Sequence, residues 1–156
     1  MKYDFSVFDL SKLTYAVAEE LSPNIERKGL RSKLEIEPHI NVHADIGKIR
    51  QVIENLIDNA LKYTQKGYIT VALEKTGDSA RLTVKDTGIG INPEVLPKLF
   101  QKFSRAEDAS KANLRGTGLG LYVAKQLIEA QKGKVWAESE GEGKGSTFFV
   151  ELPTKG

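Results

Sequence analysis

The sequence predicts an α+β fold, a two-layer α/β sandwich with helices on one face of a mixed, mostly antiparallel sheet. Three observations predict it. Asp45–Thr64 carries Ile46, Ile49, Val52, Ile53, Leu56, Ile57, Ala60 and Leu61 at steps of three and four, the period of a helix that buries one face. Two pairs of segments alternate with a period of two, Tyr68–Lys75 with Ser79–Asp86 and Lys134–Ser139 with Ser146–Leu152, each pair around a turn. The chain order mixes these hairpins with helices, and a length of 156 residues suits one domain over 1–156 with a proper core.

The remaining elements follow in order. Phe5–Leu10 alternates weakly, as a short edge strand does. Asp9 or Ser11 caps a first helix to about Lys28, with Leu13, Ala16, Val17, Leu21 and Ile25 roughly on one face. Pro23 inside it predicts a kink or an early end. Leu34 and Ile36, then Ile40 and Val42, suggest two short strands around Pro38-His39. Asp45 is the N-cap of the central helix. Pro93–Phe103 reads as a short helix or turn, and Ser104–Arg115 as a polar connection without a large apolar residue before Leu114. Gly116–Gly120 opens a helix that ends near Lys132-Gly133, with Gly133 as its C-cap.

Composition excludes several classes of function. Basic and acidic residues number 23 and 21, so no nucleic-acid footprint and no polybasic membrane patch is expected. The absence of cysteine removes disulfides, thiolate chemistry and zinc–thiolate sites. Apolar runs are only a few residues long, and the opening MKYDFSVFDL lacks the basic stretch and apolar run of a secretory signal. A cytoplasmic location without direct membrane contact is the expectation.

Chemistry gathers where glycine does. Gly88 and Gly90, then Gly116, Gly118 and Gly120, then Gly141, Gly143 and Gly145 stand at junctions between elements. Glycines at alternate positions let backbone N–H groups approach an anion, and a following helix N-terminus adds positive character. Turns and caps are the plainer explanation of any one cluster. None of the Gly-Lys pairs continues into a Walker A pattern, and no Gly-x-Gly-x-x-Gly occurs. Asp86, opening DTGIGI, is either an Asx-turn residue or an acceptor for an exocyclic amine such as that of adenine. Asn55 and Asn59 fall side by side on the flank of the central helix, with Lys62 one turn on. That edge is either a solvated border or the wall of a site in which amide oxygens and a triphosphate share Mg²⁺.

The blocks QVIENLIDNALKYT, DTGIGI, LFQKFSR with RGTGLGLYVAK, and GEGKGSTFFVELP come in this order. They resemble the N, G1, F, G2 and G3 boxes of the catalytic ATP-binding domain of two-component sensor histidine kinases. That domain belongs to the superfamily shared with gyrase, MutL and the heat-shock chaperone, and its fold is the Bergerat-type sandwich. The resemblance covers about Asp9 to Pro153 and implies ATP as substrate with Mg²⁺. It implies that Asn59 and Asn55 serve the metal and phosphates, Lys62 reaches the phosphates and Tyr63 packs on adenine. Asp86 would bind the adenine amino group, with Gly88 and Gly90 bringing the base near the backbone and Thr147 helping through water. Gly116, Thr117, Gly118, Leu119, Gly120 and Leu121 would wrap the phosphates through backbone N–H groups. Ser104–Arg115 would be a lid on a base of Phe100 and Phe103, with Arg105 as the first candidate and Arg115 as the second for stabilising the γ-phosphate.

One departure matters. His39 follows Pro38 in an expected loop and His43 precedes Ala44, so neither lies on a helix with the family's phosphoacceptor motif. The implied partners are therefore a histidine-bearing dimerisation domain of a parent kinase and a downstream response regulator, with this fragment a monomer. The alternative is a module whose ATP drives conformational or partner switching. An anti-sigma-type serine kinase on the same fold fits the F box and long lid less well. The hydrolytic relatives carry a glutamate base where Asn55 stands, and an amide cannot activate water. Neighbouring Glu54 lies about 100° around the helix.

Overall fold

The computed structural model describes residues 2–101 and 119–155. They run β1 (Ser6–Asp9), α1 (Leu10–Arg27), β2 (Arg31–Ile36), β3 (Asn41–Ala44), α2 (Ile46–Tyr63), β4 (Tyr68–Thr76), β5 (Ser79–Asp86), a 3-10 turn at Leu96–Lys98, α3 (Leu119–Glu129), β6 (Lys134–Glu138) and β7 (Ser146–Pro153). The main sheet has the order β2-β4-β5-β7-β6. β2 and β4 are parallel and every other neighbouring pair in it is antiparallel. β1 and β3 form a separate antiparallel ribbon.

Strand parity places the core. Ile69, Val71 and Leu73 of β4, Ala80, Leu82 and Val84 of β5, and Phe148, Val150 and Leu152 of β7 are buried. They meet Ile49, Val52, Ile53, Leu56 and Ile57 of α2, Val17 and Ile25 of α1, and Leu121, Ala124, Leu127 and Ile128 of α3. On the opposite face Trp136 and Phe149 stack at 4.9 Å, with the Arg81 guanidinium over both rings and held by Glu151 at 2.7 Å. The two expected hairpins are present, and β7 slots between β5 and β6, which joins them into one sheet.

α1 ends close to the expected Lys28, without the early end that Pro23 suggested, and the C-cap expected at Gly133 is corrected. α1 continues through Pro23 to Arg27 because Ile25, beyond the proline, is 1% exposed and holds the last turn in the core. It ends where Gly29 takes a φ of 85° and the Leu30 N–H donates to the Ile25 carbonyl at 3.1 Å. At the end of α3 the left-handed residue is Lys132, with a φ of 67°, not Gly133. The Gly133 N–H closes the motif on the Ile128 carbonyl at 3.0 Å. Glycine is required there by proximity instead, since a Cβ would stand 2.3 Å from the Glu151 carbonyl oxygen of β7.

Candidate functional site

α2 is fixed at both ends. At its start the Asp45 carboxylate accepts from the Lys48 N–H at 3.1 Å and from the Asp4 N–H at 2.8 Å. The Asp45 N–H donates to Gln131 Oε1 at 2.7 Å, tying the turn after α3 to this cap. At its end the Lys28 ammonium donates to the carbonyls of Leu61 and Lys62, acceptors that a helix C-terminus leaves open. The buried stripe of α2 leaves Asn55 and Asn59 half-buried along one edge and Lys62 exposed. Neither amide has a hydrogen-bond partner among the described residues. Neutral, hard oxygen donors of this kind suit Mg²⁺ when phosphates complete the shell, and no group of three His, Cys, Asp or Glu able to hold a metal alone occurs among the described residues.

The loop after β5 lies against the end of α2. The Ile89 N–H donates to the Tyr63 carbonyl at 3.0 Å. Thr87 Oγ1 donates to the Lys66 carbonyl at 2.8 Å and accepts from the Tyr68 N–H at 3.1 Å. A Cβ on Gly88 would stand 2.2 Å from the Tyr63 carbonyl oxygen, and one on Gly90 2.1 Å from that of Gly141, where φ is also 76°. These two glycines are thus already required by the protein's own packing. Gly120 is different: a Cβ there would meet nothing within 4 Å, so no packing contact of the described residues accounts for it.

Asp86 continues the core-facing series of β5 and is 4% exposed. Its carboxylate accepts from the Gly88 N–H at 2.9 Å, the Asx-turn geometry, and from Ser146 through N–H at 3.2 Å and Oγ at 2.9 Å. Burial raises its pKa, and the donors from Gly88 and Ser146 offset part of that rise. Among the described residues Oδ2 receives a single hydrogen bond, from Ser146 Oγ, and retains capacity for another donor. Beside it, Thr64 Oγ1 is buried with no hydrogen-bond partner among the described residues.

The side chain that reaches Asp86 is therefore Ser146, and the expectation for Thr147 is corrected. Register pairs Ser146 with Asp86 and Thr147 with Lys85. Alternation then puts Ser146 with Phe148 on the core face and Thr147 with Phe149 on the outer face. Ser146 was findable from its parity with Phe148, Val150 and Leu152, given the strand partner. Thr64, Thr87 and Ser139 gave no sequence signal as site residues.

The other expected residues divide as follows. Tyr63 closes α2 half-buried, Leu119 and Gly120 lie in the first described turn of α3, and Leu121 is 4% exposed in the core. Phe100 meets Phe148 edge to face at 6.0 Å, anchoring the segment that leads toward the expected lid. Phe103, Arg105, Arg115, Gly116, Thr117 and Gly118 lie outside the described residues. His39 is exposed in the turn after β2 with a φ of 63°, and exposed His43 of β3 stands edge-on to Phe5, so neither is on a helix.

The described residues form a two-layer sandwich with a buried aspartate at one end of the central helix and, along its edge, two amides that make no hydrogen bond among those residues. The chain belongs to the family described as histidine kinase-, DNA gyrase B-, and HSP90-like ATPase, whose model matches residues 44–156. It is 43% identical over 117 residues to the sensor histidine kinase WalK of Bacillus subtilis, covering 73% of this chain and 19% of WalK. The chain spans a quarter or less of the length of the curated relatives it matches. Full-length ShkA in complex with AMPPNP superposes with a TM-score of 0.85 at 29% identity, over 99% of this chain and 32% of ShkA. The nucleotide-free catalytic domain of histidine kinase ThkA matches with a TM-score of 0.83 at 29% identity, over 96% of this chain and 97% of that one. ThkA in complex with response regulator protein TrrA matches with a TM-score of 0.79 at 28% identity, over 97% of this chain and 42% of that one. No described helix is long and apolar enough to cross a membrane.

Proposed function

We propose that this domain binds Mg·ATP and transfers the γ-phosphoryl group to a histidine on a separate dimerisation domain, within a two-component system that ends on a response regulator. The observation that carries the reading is the pairing of one buried, pre-oriented carboxylate, Asp86, with two amides on the adjoining helix, Asn55 and Asn59, that make no hydrogen bond among the described residues. Asp86 accepts from the adenine amino group, and its orientation by Gly88 and Ser146 is set before the base arrives. Asn55 and Asn59 offer oxygens toward the metal, which when bound supplies charge neutralisation to the phosphates. Lys62 adds a positive charge at that end, and Arg105 serves the transferring phosphoryl group. Asn55 cannot take a proton from water, which favours transfer over hydrolysis. Catalysis by this chain is positioning and charge stabilisation, and the acceptor histidine with its acidic neighbour comes from the partner domain.

The test mixes this chain with a separately made histidine-bearing dimerisation domain and γ-labelled ATP. Acid-labile, base-stable label on that domain is expected, lost with Asn59→Ala in this chain. Rapid hydrolysis without transfer would overturn the reading in favour of ATP-driven partner switching.

A further inference from the structure

We infer that Ser139 is a positioning residue for the adenine end of the site, acting through Asp86; the inference rests on the ATP reading above. Ser139 follows β6 and lies half-buried between two loops. Its hydroxyl oxygen accepts from the Ile91 N–H at 3.0 Å, on the loop that Asp86 opens, and from the Gly141 N–H at 3.2 Å. Its proton has the Gly145 carbonyl at 2.8 Å as acceptor, with that of Gly141 farther away at 3.3 Å. Two accepted bonds and one donated bond use the capacity of a hydroxyl in full. The partners are what matter. Ile91 ends the 86–91 loop, and Gly145 immediately precedes Ser146, which supplies two of the three hydrogen bonds to Asp86.

The two loops are also joined by their backbones, Gly143 N–H to Ile89 O at 2.6 Å and Gly145 N–H to Gly88 O at 3.2 Å. These bonds set the spacing of the loops, but each lies within a stretch rich in glycine, where the backbone has several conformations of similar energy. Ser139 is a side chain anchored at the end of a strand, and it grips both stretches at once. Without its hydroxyl the loops remain in contact and β7 keeps its register with β5, while the last pair of that ladder, Ser146 against Asp86, loses its side-chain anchor to the 86–91 loop. The consequence falls on the group that reads an exocyclic amine rather than on the phosphate end, because Asn55, Asn59 and Lys62 stand on α2, while the hydrogen bonds of Ser139 among the described residues go to Ile91, Gly141 and Gly145.

This separates positioning from general support of the fold. The experiment measures, by titration calorimetry, the affinities of the wild-type chain and Ser139→Ala for AMPPNP and for the triphosphate of purine riboside, which lacks the 6-amino group, alongside thermal unfolding. The expected result is a loss of about five- to tenfold for AMPPNP with less than twofold change for the purine riboside nucleotide. Ser139→Thr, which keeps the hydroxyl, is expected to restore AMPPNP binding. Equal losses for both nucleotides, or no loss for either, would overturn the assignment. Should Ser139→Ala not fold, Ser139→Cys, isosteric with a weaker acceptor, is put through the same comparison with the same criteria. Failure of the wild-type chain to bind AMPPNP at all would overturn the ATP reading itself, a result distinct from an altered ratio.

Discussion

Asp45 and Asp86 stand at opposite ends of α2, both nearly buried, at 8% and 4% exposure, and both accepting from backbone N–H groups. Their electrostatics run in opposite directions. At Asp45 the donors outweigh burial, the Asp4 N–H first, and the Lys48 ammonium lies 3.8 Å away, so the pKa is lowered. At Asp86 burial outweighs the donors and raises it. A carboxylate whose hydrogen bonds and ion pair favour the charged form contributes to stability. One held charged against its burial is a cost to the fold, and its orientation leaves an acceptor free for something else. The first has the arrangement of a helix cap, the second that of a receptor for a donor.

The sharpest break of this contrast is to remove each carboxylate and ask what is lost. On the proposed reading Asp86→Ala deletes a charge-assisted bond to ligand, worth about 1.5–3 kcal/mol, so affinity for adenine nucleotides should fall about 10- to 100-fold in calorimetric titration. The cooperative thermal transition should persist. If this variant binds ATP as well as wild type, Asp86 does not read the base. Asp45→Ala should behave oppositely. Loss of the cap costs about 1–2 kcal/mol, a drop of a few degrees in the midpoint of a melt followed by circular dichroism. Nucleotide affinity of the folded protein should stay within about twofold, and a larger change would mean that the Asp45–Gln131 link carries more than stability.

The sequence made these two carboxylates legible to different degrees, for physical reasons. Asp45 announces itself locally, as a capping residue directly before an apolar stripe of period 3.6, and the observed cap is that one. Asp86 was legible as the end of an alternating strand entering a glycine turn, and its Asx-turn is local too. Its other partner was not. Which strand lies beside β5, and in which register, is settled by packing between segments sixty residues apart, and a shift of one residue exchanges Ser146 for Thr147 and the core face for the outer one. The glycines show the same limit. Their clustering marked Gly88 and Gly90 as places of close approach, but sequence cannot say that the approaching groups are the protein's own carbonyls at Tyr63 and Gly141. Lys132 takes the left-handed conformation expected of Gly133, while Gly133 lies so close to the Glu151 carbonyl of β7 that a Cβ would not fit, a contact that only the fold reveals.

The smallest effect, and the finest discriminator between the two ends, is the dependence on pH. For Asp86 the folded pKa lies above the unfolded one, so between the two the native state binds more protons and stability falls as pH rises through that window. The Asp86 contribution is therefore most favourable below its unfolded pKa and is lost as pH rises through the folded one. For Asp45 the folded pKa lies below the unfolded one, so its contribution is present above the unfolded pKa and is lost as pH falls through the folded value. The two windows meet at the ordinary aspartate value and extend from it in opposite directions. Urea unfolding of the wild-type chain against Asp86→Asn should thus show the wild type gaining relative stability as the solution is acidified through the upper window. Against Asp45→Asn the wild type should lose its advantage only below it. Ligand binding has the reverse sign at Asp86, since a protonated carboxyl no longer offers the amine a full carboxylate acceptor. In the upper window acidification should stabilise the empty domain through this residue while weakening its hold on AMPPNP. That opposition of signs would be absent if Asp86, like Asp45, served only the fold.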